Sequence, residues 1–145
     1  KFSPIYESSL QNSGIVLAGA NIYNKKSDDD GYLTALEISK LNWEGVDLVV
    51  ISGCQSGEGE LLFGEGIYGL KRAIKVAGAR SSLLTLWEVD DKATSVFMQS
   101  FYSKIAEGED YSAALNRTKM EFISGLQKEE YKKPFYWAPF VYYGK

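Results

Sequence analysis

The chain has 145 residues, 45% of them hydrophobic and 14% aromatic, with net charge −3, one cysteine and no histidine. That is enough apolar material for one buried core, and too aromatic for a disordered segment. Lys and Arg are scattered rather than clustered, so nothing suggests a nucleic-acid surface. No apolar run approaches a membrane span, and no signal-peptide pattern opens the chain.

A lone cysteine cannot form an internal disulfide, so a reducing, cytoplasmic setting is expected. Because it opens on Lys1 rather than Met, the chain is expected to be part of a longer protein.

Ser13-Gly14 precede Ile15-Val16-Leu17-Ala18, a short apolar segment that predicts a strand. Residues 24–32, NKKSDDDGY, are turn formers and charges, hence a loop. Asp28-Asp29-Asp30 lack the offsets of a calcium loop and read as a solvated turn. Thr34 and Glu37 have capping-box spacing, predicting a short helix to about Leu41. Residues 46–52 are apolar without alternation, as in a central strand covered on both faces.

Farther on, Ile67, Leu70, Ile74 and Ala77 form one helical stripe, with Gly78 placed to end it. Ser81 to Trp87 predicts a third strand. Asp90 or Asp91 then caps a helix carrying Phe97, Phe101 and Ile105 on one face and ending at Gly108. Asp110 caps another, on which Leu115, Phe122 and Leu126 recur. The aromatic tail PFYWAPFVYYG predicts a last strand, kept off the sheet centre by Pro139. Its tyrosines are expected to pack in the core and along the edge. The order predicts an α/β fold with a mostly parallel central sheet, whose function gathers at the carboxyl ends of the strands.

Cys54 sits at one such end, in DLVVISGCQSGEGE. A free cysteine is usually a space-filler. This one follows the apolar run instead of lying within it, with Gly53 before it and Gly57 and Gly59 after. Glycines there permit a sharp turn and close approach by another molecule, and a following helix N-terminus favours a thiolate. Other cysteine and glycine-loop sites fit poorly. The stretch lacks the Lys-Ser/Thr of a P-loop and the arginine of a phosphatase cradle, and Ser52 and Ser56 stand where a nucleophile elbow needs glycines. A metal site lacks ligands, there being no second cysteine and no histidine, and no cofactor is implied.

Read in order, Ser52-Gly53-Cys54-Gln55-Ser56-Gly57, Gly64-Glu65-Gly66, Gly69-Leu70, Arg72-Ala73, Ala77-Gly78-Ala79-Arg80 and Leu86-Trp87-Glu88-Val89-Asp90-Asp91 form a series. Asp30 to Ala35 and Tyr136 to Phe140 flank it. The series resembles the core of CHAT domains, caspase-like domains usually found behind TPR repeats, over nearly all of residues 1–145. The resemblance implies a caspase-like layered fold with helices on both sheet faces. It also implies a cysteine endopeptidase working through a Cys–His dyad, with Cys54 as nucleophile. The histidine would lie in a His-Gly pair just before Lys1, with the family's N-terminal strands. The Cys54 backbone N–H would be one oxyanion donor and that Gly the other.

By the same resemblance, Trp87, Glu88, Asp90, Asp91 and Gly53 would line the substrate site, with main-chain groups around Glu88 adding a strand to the peptide. Asp90 and Asp91 also have a purely structural reading as an N-cap pair. Gly53 replaces the family's Ala, Gln55 and Ser56 replace Glu and Thr, and Ser52 stands where caspases have Gln. Expected partners are a protein or peptide substrate and regulatory repeats or a partner protein, in bacterial signalling or defence. Some family members are tied to RNA-guided effector complexes, but no direct nucleic-acid contact and no membrane contact are expected of this segment. The competing readings are a catalytically inactive scaffold that binds extended peptides, and an unrelated α/β binding domain with a buried cysteine.

Overall fold

The computed structural model describes residues 10, 13–18, 20, 30–52 and 65–144. Within them the chain is mixed α/β and divides into two compact units. One carries the described residues up to Val49 together with 65–82. The other carries residues 50–52 and Leu83–Gly144.

In the first unit, strand β1 (Gly14–Val16) pairs antiparallel with β2 (Tyr32–Thr34) in the register Gly14↔Thr34, Ile15↔Leu33, Val16↔Tyr32. Gly14 is required there, because a Cβ would come within 2.6 Å of the Leu33 carbonyl oxygen. Asp30 Oδ1 accepts from the Tyr32 amide at 2.9 Å, a side-chain turn that launches β2.

Thr34 has two jobs. Its extended backbone (φ −71°, ψ 155°) ends the ladder, and its hydroxyl accepts from the Glu37 amide to start helix α1 (Ala35–Ile38). The Glu37 carboxylate reaches back to the Thr34 amide and hydroxyl, both at 2.8 Å. Those hydrogen bonds hold the Glu37 carboxyl below its ordinary value.

Helix α1 buries Ala35 and Ile38 and packs on helix α2 (Glu65–Ala77), which buries Ala73, Ile74 and Ala77. Gly78 follows at φ +105°, with Glu44 so close that a Cβ would lie 3.1 Å from its amide nitrogen. Only glycine suits both conditions. Beyond it the two segments entering the next strands advance together. The Arg80 amide donates to Val46 O at 2.9 Å, and the Val49 amide donates to Ser81 O at 3.0 Å.

The second sheet has the order β3-β4-β5, with β3 at Val49–Ile51, β4 at Ser82–Thr85 and β5 at Phe140–Tyr143. Ser82, Leu83 and Leu84 are buried, as befits the central strand. Helix α3 (Asp91–Ala106) follows, ended by Gly108 at φ +95°. Helix α4 (Tyr111–Ser124) is capped by Asp110 and ended by Gly125 at φ +75°. Phe97 and Phe101 on α3, Phe122 on α4 and Phe140 on β5 are fully buried. Phe97 stacks on Phe140 at 3.9 Å between centroids and meets Phe122 edge-on at 5.1 Å. Each such side chain stabilises by about 2–3 kcal/mol.

Several expectations change. The described residues form two small sheets, β1-β2 and β3-β4-β5, and the first strand lies in the antiparallel pair rather than in a mostly parallel central sheet. The strand expected over Ile15–Ala18 runs instead from Gly14 to Val16 and pairs antiparallel with β2, whose first residue, Tyr32, falls in the stretch read as a loop. The helix expected to reach Leu41 stops at Ile38. Leu126 falls beyond the Gly125 stop and is exposed, so it is not part of the α4 stripe.

The aromatic tail is not all strand. Pro134 opens a short helix α5 (Pro134–Trp137), preceded by a 3-10 turn at Glu129–Lys132, and only Phe140–Tyr143 is extended. Proline suits the first helical turn because its missing N–H is unneeded there. The expected edge position of the last strand holds, since β5 is terminal in the sheet order.

Candidate active site

The strand expected to deliver the nucleophile is present. β3 runs through the half-buried Val49, Val50 and Ile51, and Ser52 follows it, exposed. Gly53 and Cys54 lie outside the described residues, and with them the expected nucleophile and its backbone oxyanion donor.

The second half of the expected site is well defined. β4 ends at Thr85, and Leu86 to Asp90 run on without secondary structure to α3. The Leu86 amide donates to Pro139 O at 3.0 Å, keeping this segment beside the β5 approach for one more residue. After that the ladder stops. Among the described residues, the main chain of Trp87, Glu88 and Val89 makes no hydrogen bond. Val89 buries its side chain, which anchors the segment, while Glu88 is exposed. Trp87 is half-buried, and its Nε1–H donates to Phe135 O at 3.3 Å.

Asp90 is the N-cap of α3. Its backbone is extended (φ −66°, ψ 128°), and Oδ1 accepts from the Ala93 amide at 2.8 Å. Asp91 is the exposed first residue of the same helix, where a negative charge is favoured by the helix dipole. The structural role foreseen for the pair is therefore real. Asp90→Ala is expected to lower stability by about 1 kcal/mol, with Asp90→Asn recovering most of it, as read by urea denaturation.

Two features escaped the sequence reading. One is the grip of the 134–139 stretch on Trp87, for which Pro134 was the available signal. The other is a buried polar network between α3 and α4. Lys104 Nζ lies 2.7 Å from Glu121 Oε1 and donates to Ser100 Oγ at 2.7 Å, and the Ser100 hydroxyl donates to Glu121 Oε2 at 2.5 Å. Gln127 Nε2 also donates to Glu121 Oε2, at 3.3 Å. Burial alone would push the Glu121 carboxyl up. The hydrogen bonds from Lys104 and Ser100 and the Lys104 charge outweigh it and hold the carboxyl below the usual carboxylate range.

Among the described residues no group of three His, Cys, Asp or Glu could hold a metal ion. Nor is any described helix long and apolar enough to cross a membrane.

The model of the CHAT domain matches residues 2–145. The chain belongs to the CHAT family. This family is related to the caspase-like cysteine proteases. Tetratricopeptide repeat protein 28 of Mus musculus is 33% identical over 112 residues, or 77% of this chain, and its Homo sapiens counterpart is 32% identical over the same length. The chain spans about 4% of the length of these curated relatives. Both relatives are named for tetratricopeptide repeats, which is consistent with the association of CHAT domains with TPR repeats that the resemblance implied.

Proposed function

We propose that this CHAT domain is a cysteine endopeptidase domain of caspase-like layered architecture, with the catalytic fold completed by N-terminal strands of the full protein. Cys54 would attack the scissile carbonyl of a protein substrate. An imidazole contributed from outside these 145 residues would take the thiol proton and pass it to the leaving amine. The Cys54 backbone N–H would stabilise the oxyanion.

The observation that carries this reading is the main chain of residues 87–89, which continues from the end of β4, makes no hydrogen bond among the described residues and is rooted by the buried Val89. Unpaired N–H and C=O groups next to a strand are what an extended peptide needs in order to add a strand of its own. Family membership supplies the chemistry that such a peptide would meet. Tethered repeats or a partner protein would regulate access. The two curated relatives are mammalian and add nothing to the expected bacterial setting or cytoplasmic location.

A second reading, a catalytically inactive scaffold that binds extended peptides, rests on the same segment after β4. One experiment separates the two. The full-length protein is incubated with a peptide library before and after iodoacetamide treatment. Sequence-selective cleavage that iodoacetamide abolishes supports the protease. Peptide binding without cleavage supports the scaffold.

A further inference from the structure

Helix α4 ends so as to hold an apolar side chain in a fixed place. The Gly125 amide donates to Phe122 O at 3.0 Å and the Leu126 amide to Glu121 O at 3.1 Å, with Gly125 at φ +75°. These are the paired bonds of a Schellman stop, in which the residue after the glycine packs back toward the last turns, here toward Met120. That local packing is the usual role of such a leucine. Here it leaves both side chains more than half open: Leu126 is 72% and Met120 61% exposed, and Ile123, on the same outer face as Met120, is 40% exposed. The exposed apolar residues of α2, Tyr68 and Val76, lie two turns apart and form no such cluster.

Lys119 borders the cluster, one turn before Ile123. It is half-buried, and burial pushes its amine below the ordinary lysine value. Among the described residues no carboxylate pairs with it, whereas the buried Lys104 on α3 has Glu121.

We propose that the end of α4 is a docking site for an amphipathic helix of the tethered repeats, which covers Met120, Ile123 and Leu126 and sets a carboxylate against Lys119. Charge and size select this occupant. A half-buried cation without a counter-ion calls for an acidic partner. Three side chains fall far short of the roughly 800 Å² per partner of a stable free-standing interface, so a second copy would not be held, but a tethered segment acts at about millimolar effective concentration. The chain spans about 4% of two relatives named for tetratricopeptide repeats. Such a repeat is a helix pair that buries its face on its neighbour, so the last in an array has an apolar flank to cover. This rests on the tethered repeats of the proposed function and not on peptide cleavage.

The test uses the full-length protein carrying the photo-crosslinker benzoylphenylalanine at the Leu126 position or, as control, at the exposed Tyr102 position, with adducts mapped by mass spectrometry. The Leu126 probe is expected to react within its own polypeptide, with a repeat helix, well above the control. Lys119→Glu and Met120→Asp, combined with the probe, should each lower the yield about fivefold, and Lys119→Gln should remove its dependence on salt. Should Met120→Asp fail to fold, Met120→Ser carries the same comparison.

Adducts between copies, detected by mixing isotopically light and heavy protein, overturn the proposal in favour of a dimer. Adducts outside the repeats, a yield equal to the control, or a yield indifferent to both Lys119 and Met120 overturn it as well. None of these readouts depends on cleavage, so a protein that docks its repeats and cleaves nothing overturns the protease reading alone.

Discussion

Cys54→Ala is expected to abolish peptide cleavage by the full-length protein, a loss of at least about a thousandfold, without unfolding it. The size follows from the chemistry. An ordinary thiol has a pKa of about 8.5, so only a small fraction is thiolate at neutral pH, and the methyl group of alanine has no nucleophilic form at all. The fold should survive, because the substitution trades a small side chain for a slightly smaller one. A melting temperature within about 3 °C of wild type corresponds to under about 1 kcal/mol for a domain of this size.

Cys54→Ser should be nearly as inactive. It keeps the shape of the side chain but gives the general base an alcohol to deprotonate. Two readouts check the prediction together: turnover of the best library peptide, and the thermal transition by circular dichroism. Unchanged turnover with an intact transition removes Cys54 from the mechanism. Lost turnover with a collapsed transition would trace the effect to folding, and Cys54→Ser then decides the matter.

The features legible in the sequence were those set by neighbours along the chain. The Thr34–Glu37 box, the caps at Asp90 and Asp110 and the stops at Gly78 and Gly108 each arise within a few residues, where backbone geometry and one side chain settle the outcome. The phenylalanines of α3 were legible for the same reason: a spacing of four places Phe97 and Phe101 on one face, and both are buried.

Features set by partners far along the chain were not legible. Tyr32–Thr34 is a strand only because Gly14–Val16 lies alongside it, and nothing in NKKSDDDGY announces that pairing. Lys104 lies in the last turn of α3, where a lysine needs no partner to be stable in solvent. It is buried because α4 brings Glu121 to it. In the candidate site, the motif after β4 pointed to Trp87 and Glu88. The carbonyl that holds the indole lies 48 residues downstream, in a stretch whose aromatic, β-prone composition concealed a helical turn.

The Lys104–Glu121 network should produce the second large effect. Glu121→Ala is expected to destabilise the domain by about 3 kcal/mol. It strands a lysine whose side chain is only 7% exposed, and the cost of an uncompensated buried charge exceeds the net worth of the pair. Glu121→Gln should cost less, because the amide oxygen still accepts from Lys104 Nζ and Ser100 Oγ retains a partner.

The pH dependence has a definite sign. The folded-state carboxyl of Glu121 lies below its unfolded value, so the folded state holds the charged form more tightly. Its contribution is complete above the ordinary carboxylate pKa of about 4.3 and is lost as pH falls through the lowered folded value. Urea midpoints measured between pH 3 and 7 should therefore decline less steeply toward acid in Glu121→Gln than in wild type. Replacing both charges, as Lys104→Met with Glu121→Leu, should recover most of the stability lost in Glu121→Ala, since neither partner is left buried alone. A double variant as unstable as the sum of its single variants would mean that the two side chains contribute separately, and that the contact between α3 and α4 draws its strength from the phenylalanines instead.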